Sequence, residues 1–329
     1  MKCVLFGVRF KFRPFYILLF LINAINSHFL CYDNHMLIVI VGPTGSGKTE
    51  IALKLADYYH APIINADAFQ IYQDMNIGTA KIAKSDKHYQ SHYLLDIVKP
   101  DQTYSVKQYQ EDFRKTYKEL KKQYQNIIVC GGTGLYIKAA LYDYEFEDEK
   151  EADISDLENM SNEELYELLK KLDIKATDTI HMNNRKRVLR AIQIARTHDL
   201  NKSESIEKQE HSLFFKDEVI KFLFLNPNRD ELYANINTRV DQMMINGLVN
   251  EVKELSNKYE LSLTAKAAIG YKEVIDYLDD KYSLEECVEL IKKRTRNYAK
   301  RQVTFFKHQL PCLEFNNKEA LLQEAMRNE

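Results

Sequence analysis

Hydrophobic and polar positions follow two rhythms along this chain. Short, mostly apolar runs occur at Leu37–Val41, Ile63–Ala66, Ile127–Cys130 and Ile220–Leu225, each ending against glycine, aspartate or asparagine. Runs of this length, rich in β-branched residues, read as strands, and those apolar on both faces read as interior strands of a parallel sheet. Asp230–Leu255 and Leu284–His308 instead carry apolar residues three and four apart, the period of helices that pack by one face. Strands and helices in alternation predict an α/β fold, a parallel sheet flanked by helices.

The rhythm changes between Leu141 and Asn201, where Glu145–Glu151 and Glu163–Leu172 are acidic and helical in period. Ser161 followed three residues later by Glu164 marks a helix start, and Leu165, Leu168, Leu169 and Leu172 share one face, which reads as core. Residues 142–201 are therefore expected to form a helical insertion domain, with 36–141 and 202–329 forming the core around it. No internal repeat or low-complexity linker is evident.

At the start, Lys2, Arg9, Lys11 and Arg13 precede an apolar run from Phe15 to Ile22. Asn23, Asn26, Ser27 and His28 interrupt that run before it reaches membrane-spanning length, and no small-residue cleavage site follows. Residues 1–35 are expected to be an upstream extension ahead of a second methionine, Met36; an organelle-targeting peptide is the competing reading. No membrane partner is expected.

With 329 residues, 45% of them hydrophobic, the chain suffices for one large domain and an insertion. A formal net charge of −2 gives no overall attraction to phosphates, so any nucleic-acid surface must come from local clusters of Lys and Arg. Cys3, Cys31, Cys130, Cys287 and Cys312 are scattered, without the paired spacing of a zinc site or a disulfide framework. A reducing, cytoplasmic setting fits this usage.

The strongest local signal is Gly42-Pro43-Thr44-Gly45-Ser46-Gly47-Lys48-Thr49, between the first strand and an amphipathic helix. This is a P-loop: glycines let successive N–H groups turn inward on a polyphosphate, and the helix dipole adds positive potential. Lys48 would neutralise phosphate oxygens and the Thr49 hydroxyl would ligate Mg²⁺. The fold expectation thereby sharpens to a P-loop NTPase-like parallel sheet. Asp67, at the end of the second expected strand, would face the ligand crevice as a general base, or would cap a following helix; spacing leaves both open. Lys293, Arg296, Lys300 and Lys307 recur at helical spacing with Arg301 alongside, and Arg185, Lys186, Arg187 and Arg190 form a second basic cluster. Each suits a phosphate backbone, or is a solvated face. His181 reads as an orienting or packing residue.

Beyond the P-loop, Asp67-x-x-Gln70-x-Tyr72 with Gly78-Thr-Ala-Lys81 resembles the signature of the tRNA dimethylallyltransferase (IPP transferase) family. Further similar blocks follow in order: His92–Val98, Cys130-Gly-Gly-Thr133-Gly-Leu-Tyr136, Ile180–Ala191, Arg239–Leu248, Ala268–Glu273 and Thr295–Gln302. They extend over positions 37–308. Ala68 stands where that family usually has Ser, Met182 and Ile82 where Pro is common, and Phe305 where Trp is usual. The resemblance implies transfer of a dimethylallyl group from dimethylallyl pyrophosphate to an adenine amine in the anticodon arm of tRNA. A monomer is expected. It implies Asp67 as base, Thr49, Arg239 and Thr133 at the reacting groups, and tRNA contacts at Gln70, Tyr72, Lys81, Arg187, Arg190, Lys272, Arg296, Lys300, Arg301 and Gln302. For Arg239 the residues alone favour a solvated helix face. A P-loop small-molecule kinase, a nucleic-acid-binding module and a transferase acting on free adenine nucleotides are the rival readings.

Overall fold

The computed structural model describes residues 35–144, 146, 152–197 and 212–327. The expected N-terminal extension (His35 excepted), Cys3, Cys31 and all of the acidic stretch Glu145–Glu151 except Phe146 fall outside the described residues.

Among the described residues six strands form one sheet: β1 (Met36–Val41), β2 (Ile63–Asn65), β3 (His92–Tyr93), β4 (Asn126–Gly131), β5 (Val219–Leu225) and β6 (Leu313–Phe315). Their spatial order is β3-β2-β4-β1-β5-β6, and every pairing is parallel. The central position of β1 follows from its composition: Leu37, Ile38, Val39, Ile40 and Val41 are wholly buried, so each stabilises the fold by about 1.5–3 kcal/mol relative to an exposed side chain. Only a strand covered on both faces offers that burial. Register brings three strand ends level, with Val41 opposite Gly131 and Asn65 opposite Cys130. The loops leaving β2, β4 and β1 therefore sit side by side on the carboxyl edge of the sheet, where open α/β folds hold ligands.

Helix α1 (Lys48–Tyr59) follows β1 and packs Ile51, Ala52 and Leu55 onto the sheet. It is followed by α2 (Val106–Leu120), which opens on a Ser105–Gln108 capping box, and α3 (Gly134–Leu141). The chain divides into two compact units, Leu141–Lys216 and the remainder. The former contains α4 (Asn162–Leu172) and α5 (Arg185–Thr197). Helix α4 begins at the Ser161–Glu164 capping box, and Leu165 and Leu169 pack with Val188 and Ile192 of α5 in a core of that unit's own. The Arg185 guanidinium donates to the carbonyls of Leu157, Glu158 and Met160, an internal stitch within the unit.

In the larger unit, α6 (Arg229–Ile245), α7 (Leu248–Lys258), α8 (Tyr271–Leu278) and α9 (Leu284–Gln309) build a second core, and α10 (Lys318–Ala325) returns to the sheet beside α1. The sequence reads Asp230–Leu255 as one helical stretch; the structure breaks it at Asn246-Gly247. Gly247 takes φ 94°, a left-handed conformation that costs other residues about 1–2 kcal/mol, and the chain restarts as α7. Among the described residues, no helix is long and apolar enough to cross a membrane.

Candidate functional site

The P-loop leaves β1 with Gly45 and Gly47 at φ 86° and 89°. Its curl is packed tightly: a Cβ on Gly45 would meet Ile236 of α6, and one on Gly42 would meet the Leu225 carbonyl. Lys48 Nζ donates to the Pro43 carbonyl at 3.4 Å, so the lysine folds back over its own loop. Burial lowers its pKa; nearby Cys130 and Asp67 oppose that shift and Arg239 adds to it. Burial pushes the Cys130 thiol up to about 11, leaving it neutral at ordinary pH. Thr49 is exposed in the first turn of α1. A threonine hydroxyl is an oxygen donor of the kind that can share a Mg²⁺ ion with phosphates and water. Among the described residues no group of three or more His, Cys, Asp or Glu is placed to hold a metal without them.

Asp67 follows β2 in a turn set by Asn65. The Asn65 side chain accepts from the Asp67 amide at 3.1 Å and donates to the Asp67 carbonyl at 3.2 Å. One Asp67 carboxylate oxygen accepts from Phe69 N at 3.0 Å, so it caps a turn; the helix that the alternative reading required is absent there. Thr133 lies beside it, its Oγ1 accepting from Ala68 N at 2.9 Å and its amide donating to the Ala66 carbonyl at 3.1 Å. This contact is possible because Gly131 lacks a side chain: a Cβ there would run into the Ala66 carbonyl.

Arg239 reaches in from α6 and donates to the Thr79 carbonyl at 3.2 Å. Burial lowers its pKa and the Asp67 charge raises it, so it sits in a partly dry site within the field of that carboxylate. The solvated-face reading of Arg239 is thereby corrected. From α9 comes Tyr298, whose phenol burial pushes up to about 12, with Asp67 adding to the shift. A cavity of about 220 Å³ joins these groups. Thr44, Asp67, Arg239, Tyr298 and Arg301 give it a polar and charged lining, while Val240, Met243, Ile269 and Ile291 give it an apolar one.

The expected tRNA contacts divide by burial. Lys272, Lys300, Arg301, Arg187 and Arg190 are exposed, and Arg301 stacks over the Tyr298 ring at 5.6 Å. Arg296 is partly buried and donates to Asn237 Oδ1 at 2.6 Å, joining α9 to α6. Gln70 donates to the Thr79 carbonyl at 3.1 Å. Three expectations of a surface contact are corrected. Tyr72 is wholly buried. Lys81 has a side chain 1% exposed, paired with Asp96 at 2.6 Å and donating to the Tyr72 carbonyl. Gln302 is 4% exposed; its amide accepts from Thr44 N and donates to the Gly132 carbonyl. Lys81 and Gln302 thus satisfy buried polar groups of the fold itself, and Tyr72 packs in its core. Tyr298, Thr79 and Met243 of the cavity lie in the blocks that carry the family resemblance, but the sequence reading gives them no site role. The one available signal was that Tyr298 lies three residues after Thr295 and four before Gln302, beside the buried stripe of α9.

Fold and site together define an α/β protein with a P-loop at the centre of its sheet and a carboxylate, a guanidinium and an apolar surface around one cavity. The family model described as IPP transferase matches residues 70–309, and the chain belongs to that family. It is 39% identical over 294 residues to the tRNA dimethylallyltransferase of Anoxybacillus flavithermus, covering 89% of this chain and 94% of that one. It is 40% identical over 292 residues to the tRNA dimethylallyltransferase of Staphylococcus saprophyticus, covering 85% and 91%. Among solved structures, the tRNA isopentenylpyrophosphate transferase of Staphylococcus epidermidis aligns with TM-score 0.62 at 35% identity, over 88% of this chain and 97% of that one. A eukaryotic dimethylallyltransferase acting on tRNA aligns with TM-score 0.72 at 27% identity, over 85% and 74%.

Proposed function

We propose that this protein transfers the dimethylallyl group of dimethylallyl pyrophosphate to the exocyclic N6 amine of the adenosine 3′-adjacent to the anticodon in tRNA. The observation that carries this reading is the double character of the cavity. A prenyl pyrophosphate is itself an anion joined to an apolar chain, and Thr44, Arg239 and the adjacent P-loop offer one lining while Val240, Met243, Ile269 and Ile291 offer the other. Relatives named for the same transfer, matched over most of their length, support it.

In the proposed reaction the N6 nitrogen attacks the allylic carbon, the bond from that carbon to the bridging oxygen breaks, and pyrophosphate leaves with the electron pair. Asp67 accepts the proton that N6 sheds, through the carboxylate oxygen not engaged by Phe69 N. P-loop amides, Lys48 and Arg239 stabilise the charge that develops on the leaving group, and do so strongly because the site is partly shielded from water. Thr133 holds the Asp67 turn through Ala68 N. Magnesium at the Thr49 hydroxyl would supply further neutralisation of the pyrophosphate. Exposed Lys300 and Arg301 on α9, and Arg187 and Arg190 on α5, provide the phosphate-binding surfaces, and the target base is unstacked to reach the cavity.

The test is direct. Purified protein is incubated with unmodified tRNA, dimethylallyl pyrophosphate and Mg²⁺ but no ATP, and nucleosides are analysed by mass. Prenyl-adenosine is the expected product. Stoichiometric ATP cleavage without use of the prenyl donor would overturn the reading in favour of a kinase.

A further inference from the structure

The break at Gly247 does more than end a helix. It sets Glu251 in the first turn of α7, beneath the loop that runs from Asn76 to Thr79. Glu251 Oε2 accepts from Asn76 N at 3.0 Å and Ile77 N at 2.8 Å, while Oε1 accepts from Ile77 N at 3.0 Å and Gly78 N at 3.3 Å. Oε1 also accepts from the Tyr271 hydroxyl at 2.6 Å. Three consecutive backbone amides pointing one way form an anion-binding concavity, and here the protein fills it with its own carboxylate. Bonds of this charge-assisted kind are roughly twice as strong as neutral ones.

The next residue of the loop faces the reacting groups. Gly78 and Thr79 line the cavity, and the Thr79 carbonyl accepts both from Gln70 Nε2 at 3.1 Å and from Arg239 at 3.2 Å. Gly78 lies against the Tyr271 ring so closely that any Cβ would strike it, which locks the loop between that ring and the carboxylate. Among the described residues Arg239 forms no salt bridge with a carboxylate; it lies in the field of Asp67, and the Thr79 carbonyl is what holds its guanidinium.

We infer that Glu251 is a positioning residue for transfer: by clamping the amides of residues 76–78 it sets the Thr79 carbonyl, and through it the Arg239 guanidinium, in the geometry that receives the leaving pyrophosphate. This rests on the proposed transferase reading. Glu251 touches no substrate itself. Glu251→Gln is the informative change, because an amide presents one acceptor where the carboxylate presents two and turns an N–H₂ group toward backbone N–H groups.

The experiment measures kcat and KM for tRNA and dimethylallyl pyrophosphate in the wild type, Glu251→Gln, Arg239→Lys and the double variant, at a temperature well below every Tm. Glu251→Gln is expected to lower kcat about ten-fold, or roughly 1.4 kcal/mol of transition-state stabilisation, with KM for tRNA changed less than about two-fold. In the Arg239→Lys background the same substitution is expected to cost less than about two-fold, because the group it positions is already gone. Tyr271→Phe, which removes one partner of the carboxylate and keeps the ring, provides a milder version of the same pattern should Glu251→Gln fold poorly. A lowered Tm with unchanged kcat, or losses that multiply in the double variant, would overturn the positioning role while leaving the transferase reading intact. A wild-type protein that transfers no prenyl group would overturn that reading first, and the positioning role with it.

Discussion

The backbone amide of Thr44 donates to Gln302 Oε1 at 2.9 Å, and the other end of the same side chain donates to the Gly132 carbonyl at 2.8 Å. One buried amide, 258 residues beyond Thr44, thus ties the P-loop after β1 to the glycine turn after β4. Gln302 falls on the stripe Cys287, Ile291, Thr295, Ala299, Gln302, Phe306 that α9 turns inward, while Arg301 beside it faces out.

Gln302→Ala leaves the Thr44 amide and the Gly132 carbonyl without this partner in a buried setting. Each unsatisfied group costs about 1–3 kcal/mol, so a loss of about 2–6 kcal/mol is expected in chemical denaturation. Gln302→Glu restores the acceptor but not the donor and is expected to recover part of that loss. tRNA affinity in Gln302→Ala, measured below its melting transition, is expected to stay within about two-fold of wild type; a selective drop in affinity with full stability would return Gln302 to the RNA surface.

Asp67 does two things that a single substitution can separate. Its carboxylate caps the turn at Phe69 N. Asn keeps an acceptor for that bond and removes the proton-accepting charge. Asp67→Asn is therefore expected to hold stability within about 1 kcal/mol while lowering kcat by 10²-fold or more, the usual scale of a positioned base. Asp67→Ala would lose both. If Asp67→Asn transfers at the wild-type rate with bound tRNA and donor, the base lies elsewhere.

The parts of this structure that were legible in the sequence are those fixed by neighbours in the chain. Strand β1 shows itself because five adjacent apolar residues need two covered faces, and the P-loop because its glycines and Lys48 stand at fixed offsets. The Ser161–Glu164 capping box is likewise local. Lys81 and Gln302 were not legible for the opposite reason: their partners are remote in sequence. A lysine in a signature looks like a phosphate ligand until Asp96, fifteen residues away, is seen to neutralise it in the interior. Arg239 was ambiguous because only the tertiary fold sets the Thr79 carbonyl beside it. The break at Gly247 could have been found, since Asn-Gly inside a helical period is a local turn signal.

Lys48 yields a prediction in which stability and binding move in opposite directions. Burial lowers its pKa below the unfolded value of 10.5, so the folded protein holds this proton less tightly than the unfolded chain does. Stability rises with pH wherever the unfolded state binds more protons, so the deficit from Lys48 is complete below its lowered pKa and disappears as pH rises toward 10.5. Lys48→Met is expected to raise Tm of the ligand-free protein at neutral pH and to flatten the alkaline part of its stability profile. Pyrophosphate with Mg²⁺ is expected to raise Tm of the wild type and leave the variant unmoved. A variant less stable than wild type at neutral pH would show that the ammonium is well solvated.

Helix α9 carries cations of two kinds, and salt dependence tells them apart. Lys293 and Lys300 are exposed and, among the described residues, have no ion-pair partner, whereas Lys307 pairs with Glu314 at 3.0 Å and Arg296 is engaged by Asn237. A cation already paired releases few counterions when RNA arrives; a free one that meets a phosphate releases its full share. Lys300→Gln and Lys293→Gln are each expected to weaken tRNA binding and to reduce the slope of log K against log salt by about 1 if they meet phosphate. Lys307→Gln is expected to reduce it by much less. Arg301 differs again, because it lines the cavity and stacks on Tyr298. Arg301→Lys keeps the charge but loses the planar stack, so it is expected to lower kcat with the salt slope unchanged. Equal slopes for Lys293→Gln, Lys300→Gln and wild type would mean that this face of α9 is only solvated, and would move the RNA backbone to another surface.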